Sequence, residues 1–145
     1  VTAPAGLPSV VFVCGRNAVR SPMGEALWRK RFGDKAQAVS CGVEPAAFPD
    51  GYMIAVMAET GADLSRFECR DLNDVSPGPG SLVVCLAEEA CDEARRLAER
   101  TGARAEDWVL PDPTEAPGGR DAKLDAYRAV RDRLAERIEI FASGR

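Results

Sequence analysis

Val10-Val11-Phe12-Val13-Cys14-Gly15-Arg16-Asn17-Ala18-Val19-Arg20-Ser21-Pro22 is the stretch from which the rest of the chain can be read. An apolar, β-branched run ends in a cysteine, the mark of a strand buried on both faces. After a short loop, Ser21-Pro22 opens a helix, with Ser21 as its cap and proline in the first turn, where its missing N–H costs nothing. Cys14 and Arg20 bracket five residues. That spacing lets the backbone curl with its N–H groups inward and the guanidinium closing the ring. Such a nest, backed by a helix N-terminus, binds a tetrahedral oxyanion. The same field would stabilise negative charge on the Cys14 sulfur. Arg20 can grip two oxygens with its planar fork. Gly15, Arg16, Asn17, Ala18, Val19 and Arg20 form the oxyanion-binding set on this reading, and Ser21 can donate a hydrogen bond to the sulfur.

Outward from this loop the chain alternates. A helix runs from Ser21 to Gly33, a strand from Ala36 to Ser40, and a helix from Tyr52 to Thr60. A turn at Ser76-Pro77-Gly78-Pro79-Gly80 precedes a strand over Leu82–Leu86 and a helix over Glu88–Thr101. Trp108–Leu110 reads as the fourth strand. The last helix, Asp121 to Ala142, carries an apolar stripe of Leu124, Tyr127, Val130, Leu134, Ile138 and Phe141. Strands alternating with helices imply a three-layer α/β fold: a four-stranded parallel sheet with helices on both faces. Ligands of such sheets sit at the carboxyl ends of the strands. Cys14, Gly42, Ala87 and Asp112 all fall just past strand ends, so four loops meet on one rim. With 145 residues and no long linker, a single domain over 1–145 is expected, residues 1–8 being a flexible lead-in.

Composition narrows the partners. A net charge of −4 with interspersed basic residues argues against nucleic acid or an anionic membrane. No apolar run is long enough for a membrane span, and the start lacks the features of a signal peptide. The absence of histidine removes Cys-His pairs and histidine metal sites. The five cysteines (Cys14, Cys41, Cys69, Cys85 and Cys91) are odd in number, which together with the chain's size predicts reduced thiols in a cytoplasm and no disulfide framework. Taken alone, Cys14 would read as a core residue; Arg20, Asn17 and the Asp112 loop give it chemistry.

Cys14-x5-Arg20-Ser21-Pro22, with Asn17 inside it, resembles the low-molecular-weight protein tyrosine phosphatase family and the arsenate reductases that share its fold. Ser40-Cys41-Gly42, Gly61-Ala62-Asp63-Leu64-Ser65 and Pro111-Asp112-Pro113 resemble further family stretches, in the right order. The resemblance implies that Cys14 attacks phosphorus and forms a phosphocysteine, while Arg20 and the loop amides meet the developing charge. Asp112 protonates the leaving oxygen and then activates water. Asn17 braces the loop from a left-handed conformation. No metal or cofactor is implied. The substrate would be a phosphorylated protein or a small aryl phosphate, with inorganic phosphate as product.

The chain also departs from the pattern. Arg16 stands where the family usually has glycine, and Val19 where many members carry a second cysteine. Ala87 stands where thioredoxin-coupled arsenate reductases have a redox cysteine; Cys85 lies two residues early, and its spacing from Cys91 does not restore a relay. Thr114 follows Asp112-Pro113 where an aromatic wall is common, leaving Phe48 as the candidate wall. The reading is therefore a cysteine-dependent phosphomonoesterase. The runner-up is an arsenate reductase using Cys14 with an external thiol. A phosphocysteine carrier or an anion-binding module stands behind both.

Overall fold

The structure, a computed structural model, describes residues 7–144. Its sheet has four strands, β1 (Val10–Cys14), β2 (Ala38–Gly42), β3 (Leu82–Cys85) and β4 (Arg104–Asp107), in the order β2-β1-β3-β4. Every pairing is parallel. The helices are α1 (Arg20–Phe32), α2 (Gly51–Ala58), α3 (Cys91–Thr101) and α4 (Arg120–Ser143). No helix among the described residues is long and apolar enough to cross a membrane.

Side chains of a strand alternate between faces, and the two cores follow that pleat. Val10 and Phe12 of β1 join Met23, Trp28, Met53, Leu134 and Ile138 on the face covered by α1, α2 and α4. Val11 and Val13 join Val83, Cys85, Ala94 and Leu97 on the face covered by α3. The expected α4 stripe packs as read: Leu124, Tyr127, Val130, Leu134 and Ile138 are buried, and Phe141 packs at the margin. Trp28 and Trp108 are core residues.

Several boundaries differ from the sequence reading. The fourth strand is Arg104–Asp107, not Trp108–Leu110. As an edge strand it pairs only with β3 and needs no apolar run. Trp108 and Leu110 are apolar because they leave the sheet and drop into the core. Their N–H groups still reach Cys85 and Leu86 carbonyls, at 2.8 and 3.1 Å. β2 ends at Gly42, two residues past Ser40, because Cys41 and Gly42 pair with Val13 and Cys14. The helix expected from Glu88 begins as a 3-10 turn over Glu88–Ala90, and α3 proper starts at Cys91. Of the lead-in expected at residues 1–8, residues 1–6 lie outside the described residues, and Leu7 packs against the core.

Candidate active site

The loop after β1 is shaped by its neighbour. The carbonyls of Cys14, Gly15, Arg16 and Ala18 accept N–H groups of Val43, Glu44, Ala46 and Asp50 at 2.8–3.2 Å. With its carbonyls turned outward, the loop keeps its N–H groups on the inner side, and those of Gly15 to Arg20 donate to no acceptor among the described residues. Such a row of unpartnered donors at the start of a 13-residue helix is an anion cradle. Gly42 permits the close approach: a Cβ there would lie 2.6 Å from the Asn17 nitrogen.

Asn17 holds the curl. It is the one non-glycine residue with positive φ (54°) among those described, and it is fully buried. Asparagine tolerates this region better than most residues. Its Nδ2 donates to Ser21 Oγ (2.8 Å) and Ser40 Oγ (3.0 Å), and its Oδ1 accepts from the Arg70 N–H (2.7 Å). Ser40 in turn donates to Glu25 (2.9 Å). Arg16 keeps negative φ, so replacing the family's glycine strains nothing there.

Cys14 Sγ lies 2.9 Å from Ser21 Oγ. Because Asn17 donates to that oxygen, the hydroxyl proton is left to point at the sulfur or at the Cys41 carbonyl, 3.3 Å away. Ser21 is therefore not the helix cap that the sequence suggested. The cap position is Val19, without a side-chain cap bond, and Ser21 lies within the first turn, turned toward Cys14. Arg20 is nearly buried; its Nη1 donates to the Leu110 carbonyl (2.9 Å), and its Nη2 faces Glu89 Oε1 (3.4 Å) and Asp112 Oδ2 (4.0 Å).

These groups open into one cleft of about 340 Å³, lined by Cys14, Gly15, Arg16, Ala18, Val19 and Arg20, with Ala46, Phe48, Asp50, Glu89, Asp112 and Thr114 around the mouth. The structure thus brings together Cys14, Arg20, Asp112 and Phe48 as expected. Phe48 is 80% exposed at this mouth. Thr114 fixes Asp112: its N–H and hydroxyl both donate to Oδ1, at 2.9 and 2.7 Å, leaving Oδ2 toward Arg20. Asp50 caps α2 through Oδ1 and accepts the Tyr127 hydroxyl on Oδ2 at 2.9 Å. Burial and this carboxylate push the Tyr127 hydroxyl's pKa well up, so it stays a donor.

Sequence reasoning missed Glu89, Thr114's hold on Asp112, and the supports Ser40, Glu25 and Arg70. The acidic pair Glu88-Glu89 had an ordinary explanation at a helix start. Thr114 read as an ordinary residue after Pro113, and Ser40, Glu25 and Arg70 act across 15 to 53 residues of chain, where no local pattern links them.

The cysteines need a correction. Cys85 and Cys91 are joined in a disulfide with their Cα atoms 5.4 Å apart, against the expectation that all thiols are reduced. Six residues apart in sequence, they meet because the 3-10 turn folds Cys91 back over the end of β3. Both sulfurs lie against the Ala87 carbonyl, at 2.9 and 3.4 Å. With Asp107 they place sulfur and carboxylate atoms within 4.8 Å of one another, the one such grouping among the described residues; while bonded to each other, the sulfurs are not thiolate ligands. Cys41 is a buried thiol, pushed up to about 12 by burial and by Cys14.

Comparison with known proteins agrees with this geometry. Residues 9–143 match the family model described as low molecular weight phosphotyrosine protein phosphatase. An arsenate reductase of Halalkalibacterium halodurans is 30% identical over 135 residues, 92% of this chain and 94% of that protein. One of Bacillus licheniformis is 28% identical over 134 residues, again 92% and 94%. The solved structure of an arsenate reductase in the phosphate-binding state superposes with a TM-score of 0.76 at 26% identity, covering 95% of this chain and 98% of that one. The YwlE arginine phosphatase of Geobacillus stearothermophilus shares the fold, with a TM-score of 0.73 at 21% identity over 94% and 92% of the chains. By the match across residues 9–143, the chain belongs to the low molecular weight phosphotyrosine protein phosphatase family.

Proposed function

We propose that the protein is a thiol-dependent arsenate reductase with Cys14 as nucleophile. The observation that carries this reading is the Cys14 sulfur beside a loop of unpartnered N–H groups, with Arg20 at its edge and the Ser21 hydroxyl against it. Full-length similarity to relatives named arsenate reductase supports it over the phosphatase reading favoured by the sequence alone.

Cys14 Sγ attacks arsenic(V), an S–As bond forms, and one arsenate oxygen takes up protons and leaves as water. A second thiolate then attacks the Cys14 sulfur. The new S–S bond takes the place of S–As, whose electron pair stays on arsenic, and arsenite leaves. Two thiols are oxidised and arsenic gains two electrons. The Cys85–Cys91 pair packs in the same apolar cluster as Cys14. With Cys85 and Cys91 first reduced by an external dithiol, the second thiolate comes from this pair; its partner thiolate then attacks the mixed disulfide, which closes the Cys85–Cys91 bond and frees Cys14 for another cycle. Through this step the chain's own cysteines replace the purely external thiol expected from Ala87 and the spacing of Cys91.

Asp112 favours a second activity on the same nucleophile. Its Oδ2 faces the cleft beside Arg20, where an acid could protonate the leaving oxygen of a phosphomonoester. Assays of arsenate reduction with a thioredoxin-type dithiol, and of aryl phosphate hydrolysis, in wild type and Cys14→Ser test both. Arsenite formation that needs Cys14 is the expected result. Its absence with either a dithiol or a monothiol donor would overturn the reductase reading.

A further inference from the structure

Glu89 stands in the cleft with no part in the chemistry above. It sits in the middle of the 3-10 turn Glu88–Ala90, between β3 and α3, a short segment bounded by the disulfide partners Cys85 and Cys91. Its Oε1 is 3.4 Å from Arg20 Nη2. A methyl group built on Gly15 would lie 3.2 Å from the same oxygen, so the carboxylate lies across the first residue of the oxyanion loop. Arg20 commits Nη1 to the Leu110 carbonyl. An oxyanion that takes Nη2 must therefore come within reach of Glu89.

The chemistry of that meeting depends on the anion's protons. A carboxylate has only acceptors. Against a bare anionic oxygen it repels; against an O–H oxygen it accepts a charge-assisted hydrogen bond, among the stronger kinds. Near neutral pH, arsenate and phosphate carry at least one proton, whereas sulfate carries none. We propose that Glu89 is a specificity-determining residue: it accepts a hydrogen bond from a protonated oxygen of the bound anion and excludes fully ionised tetrahedral anions. The proposal rests on the oxyanion role of the Cys14 loop in the function proposed above.

Calorimetric binding of inorganic phosphate and of sulfate to the full chain at neutral pH tests it without turnover, so an absence of arsenate reduction is read separately. Wild type is expected to bind phosphate at least about tenfold more tightly than sulfate, the factor that 1.4 kcal/mol carries. Glu89→Gln, at an exposed position where folding is not at stake, should gain sulfate binding and shrink that ratio by roughly the same factor. Glu88→Gln removes an equal charge from the same turn but outside the cleft, and should leave the ratio as in wild type. Equal binding of the two anions by wild type, an unchanged ratio in Glu89→Gln, or an equal shift in Glu88→Gln would each overturn the proposal.

Discussion

Asn17 Nδ2 donates to Ser21 Oγ at 2.8 Å, and Ser21 Oγ lies 2.9 Å from Cys14 Sγ. The serine oxygen accepts from Asn17, and its own proton has two acceptors in reach, the Cys14 sulfur and the Cys41 carbonyl at 3.3 Å; a Cys14 thiolate has no proton to give, so against it the Ser21 hydroxyl is the donor. Ser21→Ala removes a donor from the nucleophile and leaves the buried Asn17 amide with one partner fewer. A hydrogen bond to a charged group is worth about 1.5–3 kcal/mol. Alkylation of Cys14 by iodoacetamide at pH 7 should therefore slow by roughly tenfold or more in Ser21→Ala, with partial recovery in Ser21→Thr. Equal alkylation rates in all three proteins would remove the hydroxyl from the mechanism.

Gly42 supports the same loop from outside. An alanine there would place its Cβ 2.6 Å from the Asn17 nitrogen and 2.7 Å from the Arg16 carbonyl carbon, both backbone atoms that cannot swing away. Overpacking typically costs about 1–3 kcal/mol. Gly42→Ala should melt several degrees lower and also lose phosphate binding, because the displaced atoms belong to the anion cradle. A variant that is destabilised but binds phosphate normally would show that the loop moves as a rigid unit.

The loop and the parallel sheet were legible because each rests on local pattern: a β-branched run, a Cys-x5-Arg spacing, and the 3.6-residue stripe of α4. What could not be read was decided by tertiary partners. Ser21 carries a capping residue's chemistry, yet Asn17 and Cys14 claim its hydroxyl. Trp108-Val109-Leu110 looks more like a strand than Arg104–Asp107 does, yet the edge of a sheet accepts a polar strand and the core claims Trp108 and Leu110 while Val109 stays exposed. Cys85 and Cys91 looked like isolated core thiols because their meeting depends on a 3-10 turn that acidic Glu88 and Glu89 disguise as a helix start.

Cys41 predicts a pH dependence of stability. Burial, with Cys14 adding to it, raises its pKa from 9.0 to about 12. A thiol raised in the folded state favours folding while it stays protonated, so its contribution is full below about pH 9 and is lost as pH rises toward 12. Each pH unit in that window costs up to about 1.4 kcal/mol. Unfolding by urea at pH 8 and pH 10 should show wild type losing roughly 1 kcal/mol more than Cys41→Ala. Tyr127, also raised, adds a loss of the same sign in both proteins and cancels from the comparison.

Asp112 distinguishes the two activities proposed for the cleft. A general acid contributes typically 10²–10⁴-fold to a proton transfer. An alkoxide or phenoxide leaving group needs that proton from the enzyme, whereas the oxygen lost from arsenate leaves as water, which solvent can protonate. Asp112→Asn should therefore lower aryl phosphate hydrolysis by at least about a hundredfold and arsenate reduction far less. Equal losses in the two assays would make Asp112 a residue that holds Arg20, 4.0 Å away, and not an acid.

The Cys85–Cys91 disulfide gives the redox step its sharpest test. Cys91 opens α3, so its sulfur sits at a helix N-terminus, where a thiolate is favoured, while Cys85 lies fully buried at the end of β3. In the proposed relay the helix-terminal Cys91 is the expected attacker of an oxidised Cys14, and Cys85 the member that resolves the mixed disulfide. Denatured without reductant, the chain should titrate three free thiols, Cys14, Cys41 and Cys69, and after reduction all five. Cys91→Ser should keep one arsenate-dependent event at Cys14 but lose multiple turnover with a dithiol protein. Cys85→Ser should instead trap a Cys14–Cys91 disulfide, visible by peptide mapping. Undiminished multiple turnover in both variants would return the reducing role to an external thiol acting directly on Cys14.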